Sequence, residues 1–314
     1  MDRSPGDRRL AAISVDLDEI DCYAAIHGLR PPADGSAHAV YDRALPRLAE
    51  LFARQGVPAT FFVIGKDLAR ADNAREVARL AEDGHEIGSH SQSHFYDLTR
   101  RDRATVRSEL ELAAQAIARV TGARPEGFRA PGYTVSDALL ELVAETGHAY
   151  DASVFPCPAY FGAKTLAIGA VRARGRRSRS IVDDPRVLLA PADPYRVGRP
   201  YWQRGGGLVE LPIGVTREAT GRLPYIGTSV VLGGPTGAQL LTRMIAGRPL
   251  VSLELHGIDL ADAAQDGLGW LRPHQPDLRR PVKAKTAALS SAIEALRSHG
   301  YELVTLRQAA RAFA

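Results

Sequence analysis

The feature that most constrains this chain is a regular alternation of short apolar, β-prone runs with longer segments of helical periodicity. "LAAISVD" (Leu10 to Asp16) and "PATFFVIG" (Pro58 to Gly65) read as buried strands. Between them Val40, Leu45, Leu48, Leu51 and Phe52 recur at helical spacing, with Pro46 suited to a first turn and Gly56 to a stop. Asn73 is expected as an N-cap, with Glu76 three residues on and Gly84 ending the helix. Further helices are expected from about Asp102 to Val120, from Ser136 to Gly147 and from Val282 to Arg297. "PLVSLELH" and "YELVTL" add later strands. Such alternation favours parallel strands with helices packed outside them. The 314 residues suit one α/β barrel, with a flexible segment over 1–9 and an irregular, Pro-, Gly- and Arg-rich insertion around 155–205.

Composition narrows the function classes. Apolar residues at 45% and charged residues at 24% are those of a globular protein. The net charge is only +4, and much of the excess sits in "RARGRRSR" (Arg172 to Arg179), so nucleic acid is not an expected partner. That run reads either as a solvated, mobile segment or as a contact for an anionic phosphate or an anionic membrane face. No run approaches the roughly 20 apolar residues needed to span a bilayer. The amino terminus lacks the apolar region of a secretory signal, so the expectation is a cytoplasmic protein, at most peripheral to the inner membrane. Cys22 and Cys157 are expected as free thiols.

Polar residues gather at the ends of the apolar runs. Asp16 and Asp18 should point to one side of the first strand, where neighbouring carboxylates repel unless a cation stands beside them. A polar turn that solvates the strand end is the alternative. His90 and His94 follow "HEIGS"; two neutral imidazoles with one carboxylate make a facial ligand set for zinc or another divalent ion. His85 reads as a packing or capping group. Arg129 in "GFRAPGY" carries a fork able to hold a carboxylate, and Pro131–Gly132 set a turn whose N–H groups can face an oxyanion. His256 ends an apolar strand, either as a satisfied core residue or as a proton donor near neutral pH. Tyr195, Tyr201 and Trp202 either stack on a sugar or pin their loop to the barrel.

In order, "SVDLDE", "HEIGSHSQSH", "FRAPGY", "YDASVFP" and "LELHGID" resemble the motifs of the polysaccharide deacetylase (NodB-homology) superfamily of carbohydrate esterases. The resemblance runs from about Leu10 to Leu306 and implies a distorted (β/α) barrel that removes an N-acyl group, acetyl or formyl, from an amino sugar or glycan. It implies Asp18, His90 and His94 as ligands of one divalent metal ion, zinc first, with cobalt, nickel or manganese as alternatives. It implies Asp16 as general base, Arg129 as its orienting partner, His256 as general acid and Asp151 as a supporting residue. Gly132 takes the place of the backbone oxyanion donor. Independently of the resemblance, Tyr133 and Trp202 are expected as substrate contacts. Glu19 stands where the family often has glycine. The Asp-x-Asp form and "YDAS" look closer to branches with intracellular or lipid-linked substrates, such as aminoarabinose deformylases. The competing expectations are a metal-independent cyclic amide hydrolase of the allantoinase type and a non-catalytic glycan- or lipid-binding barrel.

Overall fold

The computed structural model describes residues 9–33 and 35–314; the segment 1–9 expected to be flexible lies, apart from Arg9, outside the described residues. Among the described residues nine strands form one curled sheet: β1 (Leu10–Asp16), β2 (Ala59–Val63), β3 (Glu86–Ser89), β4 (Gly127–Phe128), β5 (Tyr150–Asp151), β6 (Tyr195–Val197), β7 (Arg204–Glu210), β8 (Leu250–His256) and β9 (Glu302–Val304). Their order is β6-β7-β5-β4-β3-β2-β1-β8, with β9 beside the start of β1. Every pairing is parallel except β6 with β7. The seven residues of β1 are all buried, which is why that stretch is apolar at nearly every position rather than at every second one.

The sheet is a distorted barrel whose gap is filled by irregular chain. Between β7 and β8, Ile213 N–H donates to Val154 O (2.9 Å) and Gly214 N–H to Ser252 O (2.8 Å), while Ile226 bridges to Glu254. This stitching satisfies backbone groups that an open edge would leave bare.

The helices carry the expected signals, with exceptions. The chain turns from a π-helical stretch, Val40–Ala44, into α2 (Leu45–Gln55), which has Pro46 in its first turn and ends on Gly56 at φ 58°. Asp102 caps α4 (Arg103–Thr121) and Ser136 caps α5 (Asp137–Glu145) through their side chains. Asn73, expected as a cap, instead lies inside the first turn of α3 (Ala71–Glu82), buried, where its Nδ2 donates to Asp67 O and its Oδ1 accepts from Arg70. The insertion is less irregular than expected: it opens with α6 (Pro158–Ala173), capped by the Cys157 sulfur. "YELVTL" is strand only over Glu302–Val304, and Thr305 then caps a closing helix (Leu306–Phe313). Among the described residues no helix is long and apolar enough to cross a membrane.

Candidate metal centre

The strands deliver their last residues to one rim. Asp16 ends β1, His90 follows β3, Arg129 follows β4, Asp151 ends β5, Glu210 ends β7 and His256 ends β8. Register pairs Asp16 directly with His256, and Ser14 with Glu254, so these four point into the same end of the barrel. Asp18 lies beyond the strand, in the turn into α1 (Ile20–Ile26), rather than alternating along it as the sequence suggests. Glu19 explains that turn. Its buried carboxylate accepts from the N–H groups of Ile20, Val40 and Tyr41, so it caps α1 and the π-helical turn together. Burial pushes its pKa up to about 8 against those donors.

Asp18, His90 and His94 converge. Asp18 Oδ1 lies 3.3 Å from His90 Nε2 and 3.2 Å from His94 Nε2. His90 Nδ1 is 2.7 Å from the Arg129 carbonyl, so that nitrogen carries hydrogen, and in the neutral ring Nε2 offers only a lone pair. Asp18 Oδ1 and both ring nitrogens of His94 are buried without a hydrogen-bond partner. Three acceptors facing one another in a buried pocket are unfavourable unless a cation joins them. The donor set therefore fits a divalent ion, as one of two carboxylate–imidazole groupings near the rim. Burial opposes ionisation of Asp18, but the His94 and His90 imidazoles outweigh it and hold that carboxyl well below its usual range.

The loop bearing His94 is braced. Ser91 and His94 both adopt positive φ, 62° and 54°, a conformation that persists only where surroundings enforce it. Here Ser93 gives its N–H and hydroxyl to the Glu109 carboxylate on α4, both at 2.7 Å, and His94 N–H reaches the Ser91 hydroxyl.

Beside the triad, Arg129 is wholly buried. Its Nη1 donates to Asp16 Oδ1 (2.8 Å) and Ser14 Oγ (2.9 Å), its Nε to Ala152 O (2.8 Å), and its guanidinium lies 4.3 Å from the Phe62 ring centre. One nitrogen, not the whole fork, grips Asp16. The other oxygen, Oδ2, has no hydrogen-bond partner and sits 3.8 Å from His90 Nε2.

His256 faces Asp16 from the opposite strand. The Glu254 carboxylate approaches its Nδ1 to 2.9 Å, and the Tyr133 hydroxyl is 3.3 Å from its Nε2. Burial acts against a charged ring here, yet Glu254, then Asp18 and Asp16, raise its pKa well above the ordinary histidine value. Its side chain retains 26% exposure while Asp16, His90 and His94 keep 1% each, so His256 stands at the mouth. Sequence reasoning missed Glu254, although its place two residues before His256 on one strand puts both on the same face.

The remaining expected residues divide. Asp151 does not reach the triad: its carboxylate accepts from Ser153 N–H (2.9 Å) and Ser153 Oγ (2.8 Å), and that hydroxyl accepts from Ala130 N–H (2.7 Å). It braces the Ala130–Tyr133 turn from behind, beside the buried Glu210, another residue the sequence reading missed. Gly132 (φ 63°) lies in that turn between Tyr96 and Lys164: a Cβ there would come within 3.1 Å of the Tyr96 ring. Tyr96 in turn stands edge-on to His94 at 4.6 Å. Trp202 is elsewhere, packed edge-on against Tyr201 and under the Arg186 guanidinium in a surface groove with Asp137 and Asp183. Tyr195 hydroxyl holds the Tyr201 carbonyl, so these aromatics pin their loop. His85 is a packing group as expected: it accepts from Ala59 N–H and stacks edge-on to Phe61. Cys22 and Cys157 are free and buried.

Residues 34–150 match the family model described as polysaccharide deacetylase. A peptidoglycan deacetylase from Helicobacter pylori is 27% identical over 150 residues, 46% of this chain and 49% of that one. A chitin deacetylase from Arthroderma benhamiae is 32% identical over 117 residues, 36% of this chain and 31% of that one. The chain thus spans about half or less of the length of these curated relatives. Among solved structures, a putative polysaccharide deacetylase from Mycobacterium smegmatis superposes with a TM-score of 0.59 at 22% identity, over 97% of this chain and 90% of the other, and shares the fold.

Proposed function

We propose that this chain, which matches the polysaccharide deacetylase family model over residues 34–150, is a metal-dependent hydrolase that removes an N-acyl group from an amino sugar. The observation that carries the reading is the convergence of Asp18, His90 and His94 beside an aspartate whose free oxygen is held in place by Arg129. Relatives named as deacetylases of peptidoglycan and chitin support the choice of an acetylated amino sugar.

Asp18, His90 and His94 would hold the ion. Two imidazoles and one carboxylate suit zinc first, with cobalt, nickel and manganese as alternatives. A divalent ion bound there supplies Lewis acidity and lowers the pKa of water at neutral pH. Asp16 Oδ2, bare and aimed at the centre, takes the proton of the attacking water. Arg129 fixes the direction of that carboxylate by occupying Oδ1. The Gly132 N–H is assigned to the tetrahedral oxyanion. His256, kept protonated by Glu254, gives its proton to the departing nitrogen, and Tyr133 orients that ring. Asp151 acts at a distance, by holding the turn that carries Gly132.

The test is acetate release from N-acetylglucosamine oligomers by metal-loaded protein. Turnover that disappears with a chelator and returns with added zinc supports the reading; turnover indifferent to chelation sinks it.

A further inference from the structure

α6 and the arginine run that follows it border a cleft of ≈ 360 Å³ against the 273–274 turn, a volume within the range of small-ligand sites. Its polar lining is of one kind. Lys164, Arg174 and Arg176 bring cations, His27 and His274 bring imidazoles, Ser178 and Ser180 bring hydroxyls, and no carboxylate lines it. The arginine run is not a free tail: Arg179 N–H donates to Ala25 O (3.2 Å), and the chain passes so close to Gly28 (φ 63°) that a Cβ there would lie 2.9 Å from Arg176 Cβ. The cations are therefore held over the cleft by backbone packing.

These charges lack ion-pair partners, although Arg174 Nη1 donates to the Ala170 carbonyl at 3.2 Å. Arg172, Arg174, Arg176, Arg177 and Arg179 make no ion pair among the described residues, whereas neighbouring Arg186, Arg199 and Arg222 all do. Lys164 has a carbonyl where a carboxylate would be expected. Its Nζ donates to Gly132 O at 2.8 Å, and burial lowers its pKa to about 8, with Asp183 pulling the other way. A preformed cationic cleft with hydroxyl donors and no acid is the chemistry that recognises phosphoryl oxygens. Lys164 also ties the cleft to the metal centre: it holds the Gly132 carbonyl, Tyr96 packs beside Gly132, and Tyr96 stands edge-on to His94.

We infer that this cleft is a phosphoryl-binding subsite, and that the N-acyl amino sugar taken by this protein carries a phosphate ester or diphosphate. The inference rests on the proposed amide hydrolysis for its link to turnover, but the subsite itself is testable by binding alone.

The experiment compares N-acetylglucosamine 1-phosphate with N-acetylglucosamine as substrates of zinc-loaded wild type and of the double variant Arg174→Ala/Arg176→Ala. Calorimetric binding of inorganic phosphate, of uridine diphosphate and of vesicles of phosphatidylglycerol and phosphatidylcholine is run alongside. The expected result is a kcat/KM at least about tenfold higher for the phosphorylated sugar, a ratio that falls to about one in the double variant. Inorganic phosphate and uridine diphosphate should bind wild type and lose about tenfold in affinity in the variant. Binding of phosphate without hydrolysis of either sugar would count against the amide hydrolysis while upholding the subsite. Equal kcat/KM for the two sugars with no phosphate binding would overturn it. Attachment to the anionic vesicles with no binding of either soluble phosphate would also overturn it, and reassign the arginines to a membrane face.

Discussion

Arg129 and Lys164 are both cations set close to the proposed reacting centre, and they are held in opposite ways. Arg129 stands at the end of β4, wholly buried, with a carboxylate, a hydroxyl and a carbonyl on its nitrogens and an aromatic face beneath it. Lys164 rides on α6, a helix in which Ile168 is the one buried residue and Leu166 is 76% exposed, and its ammonium has a single carbonyl acceptor. The rim invests its interactions in one rigid arrangement, as chemistry at a fixed distance requires. α6 and the arginine run that follows it keep their cations free of ion pairs among the described residues, as recognition of a charged ligand requires. Rate should therefore depend on the first region and selectivity on the second.

The sharpest contrast comes from Asp16→Asn, which leaves shape and metal ligands intact while removing the proton acceptor. Turnover should fall by about 10²–10⁴-fold with metal content still one ion per chain by elemental analysis. A variant with near-wild-type turnover would remove Asp16 from the role of base. Next, Arg129→Ala leaves Asp16 as a buried charge without its partner and should destabilise the fold by about 3–5 kcal/mol in denaturant titration. Lys164→Ala should cost no more than about 1 kcal/mol in the same measurement. Equal losses at the two positions would break the comparison.

A subtler effect concerns His256. As a proton donor it must be charged, so the rate falls as pH rises through its pKa. Glu254 raises that pKa, and Glu254→Gln should therefore move the alkaline limb of the kcat profile to lower pH. An unmoved limb would separate Glu254 from the acid. The smallest expected effect is at Leu166→Ser on the outer face of α6, where stability should change by less than about 0.5 kcal/mol. A large loss there would show that α6 is packed as firmly as the rim.

Much of the rim was legible in the sequence because its elements are strongly patterned. β1 and β8 are mostly apolar runs ending in Asp16 and His256, and α4 carries a cap, a period and a glycine stop. Of the motif residues, Asp18, His90 and His94 lie within reach of one another, and Arg129 holds Asp16 beside them. What escaped notice is what periodicity cannot register. β4 and β5 are two residues each, too short for alternation to appear. α6 presents almost no buried stripe, so no helical period marks it. Asn73 carries the right residue for a cap, but the helix begins earlier at Ala71 and uses it for a tertiary hydrogen bond. Glu254, Glu210 and Glu109 look like ordinary acids until the fold buries them. Trp202 was drawn toward the substrate by its residue type alone, and the structure packs it into its own loop.

The most direct test is a zinc-soaked crystal examined by anomalous scattering at the zinc edge. One peak within coordinating distance of Asp18, His90 Nε2 and His94 Nε2, with Asp16 Oδ2 facing the ion's open side, is the predicted result. A well-ordered rim that holds no ion between these three side chains would contradict the account at its root.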